Sequence, residues 1–248
     1  MTPDVVVDVG NSRIKWGLCG SDAVRETCSL PPEDSAAWER QLRQWQLPAD
    51  GQWIVTGVHP PRREQLIDWL GRQGQRVLML DDPGFLPLRV RVARPDHVGI
   101  DRLFDAVAAN RRRLAGVPAV VIDVGSAVTV DLLEAQGDFI GGAILPGPRL
   151  MAKSLHDYTA LLPIVEPPSR APPLPGTATI PAVEAGIFWA VAGGIAALLR
   201  EYRSLCQCSL QVFLTGCDGP RFRRAIPGAL YWPEMTLEGI RLSAEALP

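Results

Sequence analysis

The chain has 248 residues, 47% of them hydrophobic, enough for one large domain or two small ones with a sizeable core. Its 25 Lys and Arg nearly balance 27 Asp and Glu, a formal charge of −2, so no global field steers it to nucleic acid or an anionic membrane and neither is expected as a partner. The five cysteines, Cys19, Cys28, Cys206, Cys208 and Cys217, lack the Cys-x-x-Cys spacing of a zinc or redox site and read as reduced thiols of a cytoplasmic protein.

The start, Met-Thr-Pro-Asp, carries no basic segment and argues against a secretory signal. Residues 5–9 form a β-branched apolar run that ends in Gly10-Asn11, and residues 14–18 return as a second strand. Residues 53–58 read as a buried parallel-type strand, 61–73 as a helix with Leu66, Ile67, Trp69 and Leu70 on its apolar side, and 77–80 as a short strand. Residues 101–114 read as a helix with Arg111, Arg112 and Arg113 at its C-terminal end, where cations suit the dipole.

Residues 117–125 repeat the opening design, an apolar strand running into Asp123-Val-Gly125, with a returning strand at 126–132 and a third at 137–144. The proline-dense stretch from Pro163 to Pro181 reads as a long, functional loop. Residues 185–199 are uncharged but shorter than a membrane span, and read as a buried helix in which Gly193-Gly194 permits close packing. A strand at 210–215 and a terminal helix at 233–246 complete the chain. The strand and Asp-x-Gly turn, occurring twice about half a chain apart, point to an internal duplication with halves at 1–115 and 116–248.

Phosphoryl transfer requires backbone N–H donors and a divalent cation around phosphate oxygens. In Asp8-Val-Gly-Asn-Ser12 the glycine permits a close turn, Asn11 and Ser12 offer donors, Asp8 is a hard oxygen ligand for Mg²⁺ or its waters, and Lys15 can reach a terminal phosphate. A single such turn is also an ordinary hairpin; two of them favour a nucleotide site. The seven Trp residues are expected in the core or at a subunit contact, and the three His residues receive no role.

The runs Asp8-Val-Gly-Asn-Ser12, Gly99-Ile-Asp-Arg102, Asp123-Val-Gly-Ser-Ala-Val-Thr129, Gly141-Gly-Ala-Ile-Leu-Pro-Gly147 and Thr215-Gly-Cys-Asp218 together resemble the type III pantothenate kinases. The resemblance implies the acetate and sugar kinase, Hsp70 and actin superfamily: an α/β fold of duplicated ribonuclease H-like (actin-like ATPase) halves, mixed sheets flanked by helices, with an ATP cleft between them. It implies ATP-dependent phosphorylation of pantothenate to 4'-phosphopantothenate, the first step of coenzyme A biosynthesis, with Mg²⁺ and a monovalent cation, K⁺ or NH₄⁺, by a cytoplasmic homodimer. The alternatives are a superfamily kinase with a different alcohol acceptor, or a non-enzymatic nucleotide-binding regulator with a decayed substrate pocket.

By the same resemblance, Asp101 is the general base. Asp8, Gly10, Asn11, Ser12, Lys15, Ser126 and Gly216 contact ATP. Val92, Gly99, Ile100, Asp101, Arg102 and Thr179 face pantothenate, and Asp123 holds the monovalent cation. The chain departs from the family pattern at Ser126, commonly Thr, at Val92, where a substrate-contacting Tyr is expected, at Arg94, usually Asn, and at Cys217, usually Gly.

Overall fold

Residues 2–247 are described by the structure, a computed structural model. They divide into two compact units, one comprising the chain up to Arg112 together with the segment from Glu234 onward, the other Arg113–Pro233.

In the first unit the continuous apolar run predicts a strand covered on both faces, and β1 (Val5–Val9) is buried throughout. It pairs antiparallel with β2 (Ile14–Cys19) and parallel with β4 (Gln52–Thr56). The outer strands are β3 (Val24–Leu30), antiparallel to β2, and β5 (Arg76–Met79), parallel to β4, giving the order β3-β2-β1-β4-β5. Helices α1 (Ser35–Trp45) and α2 (Pro60–Arg72) cover one face through Trp38, Leu66 and Leu70. Trp16 sits in this core with its ring 4.9 Å from that of Trp53, edge to face, so the indole nearest the first turn serves packing. Helix α3 (Ile100–Arg112) ends the segment.

The second unit repeats this wiring. β6 (Ala119–Val124) pairs antiparallel with β7 (Ala127–Leu133), which pairs antiparallel with β8 (Phe139–Pro146). Helices α4 (Pro148–Asp157) and α5 (Thr179–Cys206) then lead to β9 (Gln211–Thr215), parallel to β6. The short helix α6 (Gly219–Phe222) leads to β10 (Leu230–Tyr231), parallel to β9. The order β10-β9-β6-β7-β8 is that of the first sheet written in reverse, with the same strand senses. The expected duplication therefore extends over all five strands.

α5 is longer than the buried helix expected at 185–199, and it begins inside the proline-dense stretch; Pro181 is tolerated because it lies in the first turn. By length and composition α5 could cross a membrane. Its Phe188, Val191, Ile195 and Leu199 pack against the Val120, Val128 and Val130 side chains of the sheet.

The C-terminal helix α7 (Met235–Glu245) lies in the first unit, whereas the sequence grouped it with 116–248. The reason is its packing on α3. A Cβ at Gly239 would fall 1.9 Å from the Phe104 carbonyl oxygen, so the helices meet backbone to backbone. The Thr236 hydroxyl donates to Asp105 Oδ1 at 2.8 Å, and Glu238 Oε1 accepts the Val24 N–H at 2.7 Å.

Candidate active site

β1 carries Asp8 to its C-terminal end, opposite Lys15 on β2 and Thr56 on β4. Lys15 Nζ lies 3.8 Å from Asp8 Oδ2. Asp8 is 7% exposed, and burial pushes its carboxyl above the ordinary 3.8; Lys15 opposes the shift and the charge of Asp101 adds to it. The strand then turns: the Gly10 N–H donates to the Arg13 carbonyl at 3.0 Å, and Asn11 and Ser12 are exposed at the tip. After β4, Gly57 has φ +136°, and a Cβ there would sit 2.3 Å from the Val9 carbonyl oxygen. Glycine alone lets the end of β4 lie this close to the turn.

α3 brings Asp101 from 93 residues down the chain to where its charge acts on Asp8. Its Oδ1 accepts the Arg102 N–H at 2.9 Å, so one carboxylate oxygen caps the helix it belongs to. A Cβ at Gly99 would fall 2.6 Å from that oxygen, which ties the Gly-x-Asp spacing to this folded-back position. Ile100 is buried, and Arg102 is half-buried beside it. Val92 is half-buried in a bend between β5 and α3; nearby Arg94 makes two contacts with the Asp96 carboxylate, at 3.2 and 3.0 Å, which hold that carboxyl below its usual value.

In the second unit β6 delivers Asp123 opposite Thr129 on β7 and Thr215 on β9. The Gly125 N–H donates to the Ala127 carbonyl at 2.9 Å, and Ser126 is exposed in the turn. Gly216 follows Thr215 as Gly57 follows Thr56. Its φ is +91°, and a Cβ there would meet Asp123 Oδ1 at 2.1 Å and the Val124 carbonyl oxygen at 2.4 Å. Each half thus places a Thr-Gly step against its Asp-Val-Gly turn. Both runs were visible in the sequence, but only the shared sheet position identifies them as copies.

Asp218 stands out in the sequence only as the last residue of Thr215-Gly-Cys-Asp218. It is 2% exposed; its N–H donates to the Val124 carbonyl at 2.9 Å, and its carboxylate lies 2.7 Å from Arg221 Nε and 3.7 Å from Arg149 Nε. It fastens the loop after β9 to the second turn. Also within this unit, a groove of about 540 Å³ runs between α5 and α6, lined by Trp189, Gly193, Arg170, Arg221, Arg223 and Arg224, with no acidic side chain among its lining residues. Thr179 is exposed at the start of α5.

Among the described residues no group of three or more His, Cys, Asp or Glu could hold a metal. The donor set instead offers isolated carboxylates, which suits Mg²⁺, an ion usually bound by one or two carboxylates plus phosphate and water. Two buried hydroxyls without a protein hydrogen-bond partner, Thr56 Oγ1 and Thr129 Oγ1, stand next in register to Asp8 and Asp123. Buried polar atoms ordinarily find partners, so polar space beside each carboxylate fits a hydrated cation or a phosphate oxygen.

The family model described as type III pantothenate kinase matches residues 5–201. The chain belongs to the type III pantothenate kinase family. It is 30% identical over 241 residues to the type III pantothenate kinase of Alkalilimnicola ehrlichii, covering 95% of each chain. As a family member it carries out ATP-dependent phosphorylation of pantothenate in coenzyme A biosynthesis.

Solved structures match this pantothenate kinase by fold. A conserved putative Baf family transcriptional activator from Campylobacter jejuni aligns with TM-score 0.63, 19% identity and 97% of each chain. A putative 2-dehydro-3-deoxygalactonokinase from Sinorhizobium meliloti aligns with TM-score 0.61, 16% identity and coverage of 98% and 96%. The kinase thus shares the α/β fold of these structures, here two mixed sheets flanked by helices.

Proposed function

We propose that Asp101 is the general base of this pantothenate kinase and that the turns at Asp8–Ser12 and Asp123–Ser126 bind the phosphates of ATP. The observation that carries the reading is the convergence of Asp101 and Asp8 within one unit, close enough for one charge to raise the pKa of the other. One Asp101 oxygen is committed to the Arg102 N–H, so the other takes the proton of the pantothenate primary hydroxyl as the hydroxyl oxygen bonds the γ-phosphorus and ADP departs.

Gly10, Asn11 and Ser12 admit the nucleotide's phosphates to the first turn, and Lys15, released from Asp8, pairs with the terminal one. Asp8 would hold Mg²⁺ through water, and the ion would supply neutralisation of charge on the phosphates. Asp123 would hold K⁺ or NH₄⁺, with Ser126 on the phosphates and Gly216 beside the nucleoside. The cationic groove lined by Trp189 and Gly193 is the candidate seat for the base. Val92, Gly99, Ile100, Arg102 and Thr179 would shape the pantothenate pocket, Arg102 by pairing with its carboxylate.

Tyr158, Leu161, Ile164 and Ile180 are 87%, 91%, 58% and 49% exposed in the unit that carries Thr179, which supports a homodimer contact there. The five free cysteines, none in Cys-x-x-Cys spacing, support a cytoplasmic protein with reduced thiols. Phosphorus NMR of the product tests the reaction: ATP and pantothenate should give ADP and a phosphomonoester on the primary hydroxyl, and a purified protein that hydrolyses ATP without forming this ester contradicts the assignment.

A further inference from the structure

The first phosphate turn is held from outside by a residue whose sequence context gave it no role. α2 starts behind His59, whose Nδ1 accepts the Arg62 N–H at 3.4 Å, and this cap sets Arg62 in the first turn of the helix. The Arg62 side chain is 22% exposed. Its Nη1 donates to the Asn11 carbonyl at the tip of the phosphate turn, and its Nη2 reaches Glu33 Oε1 at 3.4 Å. The neighbouring Arg63 donates to the Gly57 carbonyl at 3.4 Å and pairs with Asp81 at 3.3 Å. Two consecutive arginines at one helix end therefore fasten the turn after β1 and the turn after β4.

We propose that Arg62 is a positioning residue for phosphoryl transfer, tethered by Glu33 and holding the Asn11 carbonyl so that the opposite edge of the turn presents its N–H groups to ATP. The inference rests on reading Asp8–Ser12 as a phosphate loop. In a trans peptide the carbonyl and the following N–H point in opposite directions, so a donor fixed on the Asn11 oxygen fixes the direction of the Ser12 N–H. The Gly10 N–H donates to the Arg13 carbonyl, which closes the turn with Asn11 and Ser12 exposed at its tip. A guanidinium suits the task because its fork engages the carbonyl and Glu33 together, which a single ammonium does less well. Its charge also raises the positive potential at the turn where a polyanion docks.

The test uses the full chain, with ADP binding by calorimetry and steady-state kinetics for both substrates. Arg62→Ala should weaken ADP binding and raise KM for ATP by about tenfold each, as expected for loss of a charge-assisted bond. KM for pantothenate should stay within about twofold and the melting temperature within about 3 °C, which separates positioning from a general loss of structure. Arg62→Lys should fall between, at about threefold, because it keeps the charge and loses the fork.

Nucleotide affinity within twofold of wild type in Arg62→Ala would overturn the inference, and if that variant does not fold, wild-type affinity in Arg62→Lys would do so. Gly10→Val, which alters the turn itself, separates the part played by Arg62 from that played by the turn. If it abolishes ADP binding while Arg62→Ala does not, the positioning role falls and the phosphate-loop reading stands. If neither variant changes ADP binding, both fall.

Discussion

Gly216 lies so close to Asp123 that a Cβ on it would stand 2.1 Å from the carboxylate oxygen Oδ1. The equivalent glycine, Gly57, lies as close to the strand that carries Asp8, where the clash would be with the Val9 backbone. In both halves a parallel strand ends in a Thr that is followed by Gly beside the Asp-Val-Gly turn, and the positive φ of the glycine lets the two chain segments touch.

Gly216→Ala should therefore cost about 3 kcal/mol from the combined strain and overlap, seen as a melting temperature lowered by several degrees. Nucleotide affinity should fall with it, because the displaced neighbour is the Asp123–Ser126 turn. A variant with wild-type melting and wild-type ADP binding would show that the close approach is not needed.

Asp8 has a folded-state pKa raised above 3.8, chiefly by burial. The folded protein thus favours the protonated form, and the stability this group contributes is full below 3.8 and lost as the pH rises through the folded value. Asp8→Asn should melt higher than wild type at pH 7, and the difference should close as the pH falls toward 3.8. It should also weaken Mg²⁺-dependent ATP binding, since the metal needs the ionised oxygen. Lower melting of Asp8→Asn at pH 7 would contradict the sign.

Gly193 has no atom within 4 Å of the position a Cβ would take, although it lies on the groove between α5 and α6. Gly193→Leu should leave melting unchanged or raise it, since leaving glycine gains up to about 1 kcal/mol in a helix. If the groove seats the nucleoside, KM for ATP should rise about fivefold by loss of a partly stacked, partly ionic contact. Unchanged KM for ATP would place the base elsewhere.

Much of the fold was legible because it is written in strand periodicity. The runs at Val5–Val9 and Ala119–Val124 are buried on both faces and so are apolar throughout, and each ends in the same Asp-Val-Gly turn. β3 and α1 escaped notice because both are largely exposed; Arg25, Glu26 and Thr27 on β3 and the polar face of α1 carry no clear apolar period. The place of α7 was illegible for another reason: its partner is chosen by the fit of Gly239 against Phe104, a contact between residues 135 positions apart. The candidate site was legible as motifs but not as geometry. Asp101 was read correctly as standing at a helix start, yet only the structure brings its charge to Asp8, and nothing in the spacing of Arg62 indicates that it grips Asn11.

Turnover measured against nucleotide affinity in Asp101→Asn tests the role of Asp101 most directly. Asn keeps the oxygen that accepts the Arg102 N–H but cannot take a proton, so kcat should fall by about 10²–10⁴-fold while ADP binds within about twofold of wild type. Retention of full turnover, or loss of nucleotide binding in step with it, would contradict the assignment of Asp101 as the base.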